Sequence, residues 1–308
     1  MDTVTHALTG AIIGYCGFRQ RPDGGRTALW ASIAAAEFPD VDVLLGFFGN
    51  ETLLRWHRSF THSALLLPFW ALLVAGAFAA VSNGKSIRLL YAAAAAAIAS
   101  HLVLDWLTNY GTELLWPLMD TRFALDWVFI VDVYVWAILG VGLIACIVTQ
   151  RATVARATLV VVGAFFVFCG SSRAVALHRA RESAPPLARV DAFPQPMDPL
   201  RWTILRDDGA TIHWINGGQN DTFTQYHDDQ LLPKAEATEA VKLFRWFAAV
   251  PLVERIDENG HVVLRYRDLR FRSPMPWGGV RESLFVVAKV VFDKHGNVAS
   301  SRLTSEGE

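Results

Sequence analysis

The chain has 308 residues, 53% of them hydrophobic and 19% charged, with a formal net charge of −1. A mean hydropathy of +0.29 is too high for an ordinary soluble protein of this length. The near-neutral balance, with no basic run and no low-complexity tract, excludes an electrostatic nucleic-acid binder.

Cys16, Cys146 and Cys169 lie in apolar stretches without CxxC or zinc-knuckle spacing and read as small buried hydrophobes. The N-terminus lacks the basic region and small-residue cleavage site of a signal peptide, so it is expected to stay in the mature protein.

In chain order, residues 3–18 and 27–48 are apolar but interrupted, the first by a histidine and the second by EFPDVD. Stretches 63–82, 87–107, 133–150 and 157–172 are each long enough to cross a hydrocarbon core, the last being short but flanked by Arg156 and Arg173. The expectation for residues 1–180 is an α-helical polytopic membrane bundle of about six helices, two of them irregular. Residues 181–200 carry Pro185, Pro186, Pro194, Pro196 and Pro199 and read as a linker. Over 201–308, TIHWI, VVLRYR and SLFVVAKVVF alternate between turns at DDGA, ENGH and KHGN, which predicts a soluble, mainly β domain. Within it, ATEAVKLFRWFAAV has the spacing of one helix on the sheet.

Basic residues cluster in three loops: Arg19, Arg21 and Arg26; Lys85 and Arg88; Arg151 and Arg156. Alternation through six helices places these on one side, the cytoplasmic one, and the C-terminal domain with the N-terminus on the other, extracytoplasmic side. Measured from those markers, His6 and His101 are each thirteen residues deep, and Asp2 and Asp105 each seventeen. On helices these counts are matching depths of roughly 20 and 25 Å. Asp40 and Asp132 reach the same layer, and His57 and His62 belong to a loop, HRSFTHS, on that side.

His101 and Asp105 are spaced i, i+4 on one helix face, as two ligands of one cation require. In FPDVD, the proline breaks the helix and leaves Asp40 and Asp42 free to hold one ion or bridge two. Each piece alone reads as a cap, a turn or a satisfied core histidine. Together, at membrane depth, unpaired ionisable groups are costly enough that several converging there imply a site, and a divalent cation is the simplest neutraliser.

MDTVTH, FPDVD, HRSFTHS, HLVLDWLTNYGTELLWPL and FIVD, in that order, resemble the YdjM-like family of bacterial inner-membrane proteins, described as metal-dependent hydrolases. That family is similar, distantly, to the all-helical zinc-dependent phospholipase C and single-strand nuclease group. The resemblance spans residues 1–150 and implies a multi-pass protein of the bacterial cytoplasmic membrane with His6, Asp40 or Asp42, His57 or His62, and the pair His101 and Asp105 as metal ligands. It implies phosphoester hydrolysis with Zn2+, in one or two ions, Mn2+ and Fe2+ being the alternatives. A cluster of three is not expected, because Met1 stands where that group has a tryptophan amine and no HxxxE matches its later helix.

The expected roles are Asp40 orienting the attacking water and Arg58 clamping a phosphate, with Arg55 second. Partners are then the bilayer and a lipid or phosphorylated small-molecule substrate; no protein partner is indicated. The competing functions are a transporter or ion pathway, and a noncatalytic scaffold in which the metal is structural. Trp202, Trp214, Trp246 and Trp277 are expected as β-domain core rather than a headgroup surface.

Overall fold

Helices fill the first half of the chain and antiparallel strands the second, following the switch in hydrophobic period from helical spacing to alternation. The computed structural model describes residues 1–82, 85–228, 230–258, 260–275, 278–282 and 286–304. Two units form: Met1–Leu45 with Trp56–Ser171, and Gly46–Arg55 with Ser172–Glu308.

In the first unit, α1 (Thr3–Ile13) starts at Asp2, whose carboxylate accepts from the Thr5 amide at 3.1 Å and hydroxyl at 2.6 Å. It runs into a π turn, Gly14–Phe18, in which Gly17 has a φ of +127°, open to glycine and strained for other residues. α2 (Gly25–Glu37) stops before Pro39 and the chain continues as 3-10 turns, Phe38–Phe48. After α3 (Asn50–Trp56) and a 3-10 turn, Phe60–His62, come α4 (Leu67–Val81) and α5 (Ile87–Trp106). α6 (Val133–Thr149) begins at Asp132, which caps the Tyr134 and Val135 amides, and α7 (Ala152–Glu182) follows.

α5 packs against α2 and α4, and α1 against α2 and α6. The contacts are made by small side chains: Ala28, Ala31, Ala35, Ala71, Ala75, Ala94 and Ala97 are fully buried. Small residues let helix backbones approach closely in an apolar solvent that offers no hydrophobic drive. At Gly10 a Cβ would come within 2.7 Å of Ala36 Cβ and 2.8 Å of the Ser32 carbonyl, so this crossing of α1 and α2 requires glycine.

The six expected stretches are largely helical, but among the described residues two helices, α5 and α7, are long and apolar enough to cross a membrane. A third span results if Asn50–His62 and Leu67–Val81, bent by 81°, count as one. α6, with 17 residues, is apolar but shorter. The breaks at Gly17 and Pro39 divide the first two stretches into pieces below spanning length.

In the second unit, β1 (Arg189–Gln195), β2 (Asp198–Asp207), β3 (Thr211–Asn216) and β4 (Gln219–Thr224) form an antiparallel sheet in that order. α8 (Leu232–Glu236) and the amphipathic α9 (Glu239–Phe247) follow, and β5 (Pro251–Glu258) and β6 (His261–Asp268) open a second sheet. A two-stranded ribbon of β7 (Ser273–Pro274) and β8 (Val280–Arg281) precedes β9 (Val287–Phe292) and β10 (Val298–Thr304), which complete the order β10-β9-β6-β5. α9 packs on β9 and β10. Trp214 is fully buried with Phe193, Leu205 and Leu252, and Trp202 is buried as well. Trp246 lies under the Arg55 guanidinium at 4.6 Å, and Trp277 is outside the described residues.

The expected linker at 181–200 is replaced by structure: α7 extends to Glu182 and β1 occupies Arg189–Gln195. Pro194 is tolerated because β1 is an edge strand, where a missing N–H costs no ladder bond.

Candidate metal centre

The end of α2 prepares the site. A helix leaves its last carbonyls without intrahelical partners, and here the Ala36 carbonyl takes a 2.6 Å hydrogen bond from His101 Nδ1 on α5. That fixes the tautomer and turns Nε2 of His101 inward as a lone pair. Just beyond Pro39, Asp40 brings Oδ1 to 3.6 Å from His101 Nε2. One turn along α5, Asp105 brings Oδ2 to 3.4 Å from it.

HRSFTHS supplies the fourth group. His62 Nε2 is 3.1 Å from His101 Nε2, 3.2 Å from Asp105 Oδ2 and 3.4 Å from Asp40 Oδ1. Its Nδ1 faces Asp42 Oδ2 at 3.2 Å, so Asp42 orients His62 from behind. Asp42 is saturated: Oδ2 also accepts from the Arg58 amide at 3.0 Å and the Thr61 hydroxyl at 2.6 Å, and Oδ1 lies 2.6 Å from His57 Nδ1.

The four atoms His62 Nε2, His101 Nε2, Asp40 Oδ1 and Asp105 Oδ2 therefore meet at separations of 3.1 to 3.6 Å where both partners are paired above. A tetrahedral ion with bonds of about 2.0–2.1 Å holds its ligands roughly 3.3–3.4 Å apart; the five separations that involve a histidine stand near that value, and all four groups offer a ligand atom within 4.8 Å of the others, so the quartet could hold one such ion. A second, overlapping group comprises Asp40, Asp42 and His57, with Asp40 common to both.

His6 lies beside the quartet and not in it. Its ring stacks on His101 at 3.7 Å, its Nε2 is 3.4 Å from Asp105 Oδ1, and both ring nitrogens are buried without a hydrogen-bond partner. The α-amino group of Met1 is buried against the same Asp105 Oδ1.

Arg58, expected to clamp a phosphate, is turned toward Asp105 and Thr108. It is 2% exposed, with Nη2 3.0 Å from Asp105 Oδ1 and Nη1 donating to Thr108 Oγ1 at 3.1 Å. Its backbone is left-handed, φ +61°, a strained state for a residue with a side chain. Asp42 holds its N–H, and its carbonyl accepts from the Glu113 amide at 2.9 Å. The alternative, Arg55, belongs to the other unit.

Asp2 and Asp132, placed by depth in the ligand layer, are helix N-caps, and Asp2 also accepts from Trp136 Nε1 at 3.0 Å. An HxxxE pair does exist, His178 and Glu182 at the end of α7, where it forms an exposed 3.3 Å pair in the second unit. Glu113 escaped the sequence reading: it is fully buried, accepts from Ser59 Oγ at 3.2 Å and lies 3.6 Å from Arg122 Nη2. Its signal was an acid inside the apolar run LTNYGTELLW.

Access to the centre is one-sided. The carboxylate of Asp40 is 21% exposed and the ring of His57 16%, while the side chains of His62, His101 and Asp105 are closed to solvent. Beside Asp40 on the 3-10 segment, Val41, Val43 and Leu44 are exposed apolar side chains.

Among known proteins, one relative is the uncharacterized protein YfhP of Bacillus subtilis (strain 168), 25% identical over 141 residues, which are 44% of this chain. This chain covers 43% of that relative's length. No solved structure matches. The model of the YdjM inner membrane protein family matches residues 1–176, the stretch that carries every member of the cluster. With more than half of its length so matched, the chain belongs to the YdjM inner membrane protein family.

Proposed function

We propose that the protein is a membrane-bound, metal-dependent hydrolase acting on a phosphoester of a lipid or lipid-linked substrate. The observation that carries this reading is the quartet of Asp40, His62, His101 and Asp105, whose ligand atoms already stand at the spacing of one tetrahedral ion. A bound divalent cation, Zn2+ by this donor set, supplies an acidified water and polarises a phosphoryl oxygen.

The chain's own residues do the rest. Asp40, the exposed member, is the ligand able to loosen toward the opening and accept a proton from an attacking water. Asp42 fixes the faces of His57 and His62 instead of ligating the first ion, and Arg58 holds Asp105 as an anion instead of clamping substrate. These assignments keep Asp40 at the attacking water and add ligation to it, and move Asp42 from the ligand expected from the sequence to a group that positions His57 and His62. Val41, Val43 and Leu44 beside the opening suit a substrate that arrives with its chains in the bilayer.

One observation favours a second reading. Four protein ligands on one ion is the closed arrangement of structural sites, so a noncatalytic metal-stabilised scaffold is the rival. The test is metal analysis of detergent-purified protein beside an Asp105→Ala variant, followed by release of phosphate or headgroup from a panel of lipid phosphates. One bound ion lost in the variant, with hydrolysis by the wild type alone, supports the enzyme. A bound ion without hydrolysis of any panel member leaves the scaffold.

A further inference from the structure

The second unit carries a cleft of about 360 Å³ between the last turns of α7 and the face of β2 and β3. Arg179 and Ser183 lie on its helix side, four residues apart and thus on one face; Arg206 on β2 enters from the sheet. Arg206 Nη2 donates to Ser183 Oγ at 2.5 Å, which ties the two sides together, while its Nε is buried without a partner. Among the described residues neither arginine is paired with a carboxylate. The floor is apolar, made by Trp202, Ile204 and Leu200, and the Trp202 indole is anchored by a 2.9 Å hydrogen bond to Ser172 on α7.

We propose that this cleft binds the phosphate group of an anionic lipid, at a place separate from the metal centre. Two guanidinium groups around one opening are donors that a phosphate takes in bidentate fashion, while the Ser183 hydroxyl, which donates to the Arg179 carbonyl at 3.2 Å and accepts from Arg206, fixes the arrangement. The apolar floor matches the glycerol and first methylenes that follow it. Leu200 and Met197, on β2 and the turn before it, and Leu187 are exposed apolar side chains of the same unit, suited to contact with acyl chains. Length places the cleft at the right height. α7 has 31 residues, an apolar stretch from 157 to 172, and then Arg173. Arg179 stands six residues further on, about 9 Å above Arg173, which is headgroup level.

The experiment uses the full chain in a zwitterionic detergent. Retention of phosphatidylglycerol and of phosphatidylcholine with the same acyl chains is read by native mass spectrometry, with glycerol phosphate as the soluble competitor. The wild type is expected to retain the anionic lipid about tenfold more strongly, since charge-assisted hydrogen bonds to phosphate are at stake. An Arg179→Gln/Arg206→Gln double variant should fall to near parity, and Arg206→Lys, which keeps the charge without the planar fork, to an intermediate value. Equal retention of the two lipids by the wild type overturns the proposal without appeal to any variant, and so does a folded double variant that keeps the preference. If glycerol phosphate binds as tightly as the lipid and displaces it, the cleft serves a soluble phosphate ester and the lipid assignment fails.

Discussion

Both units bury charged side chains, and they settle them differently. In the β unit each buried cation meets an anion: Arg267 holds Glu254 at 2.9 Å and Glu282 at 2.6 Å, and Arg272 holds Glu282 at 2.9 Å and Asp221 at 2.7 Å. That network balances its own charge, each guanidinium holding the carboxylates of two residues. In the helical unit Arg58 meets Asp105 at 3.0 Å in the same way, but among the atoms of the quartet like faces like. Two imidazole Nε2 atoms stand 3.1 Å apart and two carboxylate oxygens lie within 3.6 Å of them. Lone pairs pointed at one another in an apolar interior are unfavourable unless a cation sits among them. A buried polar cluster becomes a candidate site when its donors and acceptors do not add up, not merely when it is polar.

The strongest way to break this contrast is to remove the cation. Stabilisation by a ligand at a thousandfold excess over its Kd is about 4 kcal/mol. Chelation should therefore lower the thermal midpoint of the helical signal in circular dichroism, while near-ultraviolet bands of the β unit, with its buried Trp214, stay in place. His101→Ala should have the lower midpoint without chelator and show no further shift with it. A midpoint indifferent to chelator in the wild type would return the quartet to ordinary hydrogen bonding.

Asp42→Asn sharpens the same point with a smaller effect. If Asp42 orients His57 and His62 from behind, the variant should still bind the ion, about 10- to 100-fold more weakly, in competition with a chromophoric chelator. Complete loss of binding would instead make Asp42 a direct ligand, as the second group including Asp40 and His57 allows.

How much of this was legible in the sequence divides along the same line. The i, i+4 pair His101 and Asp105 is a local pattern on one helix, and it survives folding intact. The proline in FPDVD announced a break, and the break both shortens a span and frees the carbonyl that orients His101. Depth along the chain could not separate Asp40 from Asp2 or Asp132. All lie at similar heights, yet the last two face their own helix amides. Direction around a helix axis depends on tertiary packing, and height alone does not carry it. For the same reason Arg58, adjacent to His57 in sequence, points to Asp105 across the unit. The prolines of 181–200 misled because an edge strand accepts them.

In the β unit, Glu254→Gln removes one carboxylate shared by Arg265 and Arg267. Because Glu254 is partly exposed and Arg267 keeps Glu282, the expected cost is about 1–2 kcal/mol of unfolding free energy, seen in a denaturant titration, with metal content unchanged. Metal loss in this variant would mean that the ion is held in the other unit only when the β unit is intact, and the contrast between self-contained networks would fail.

The smallest effect is the most discriminating. Asp2→Ala deletes a carboxylate that accepts from the Thr5 amide and hydroxyl and from the Trp136 indole, next to Met1 and at ligand height. As a cap, its loss should cost about 1 kcal/mol and leave the ion in place. As a ligand, its loss should empty the centre. Asp2→Asn keeps a good capping side chain but not the charge, so it should restore most of the stability under the first account and none of the metal under the second. Metal content measured beside thermal midpoint in these two variants therefore decides whether an acid at membrane depth is settled by its own helix or by the cation, independently of any substrate.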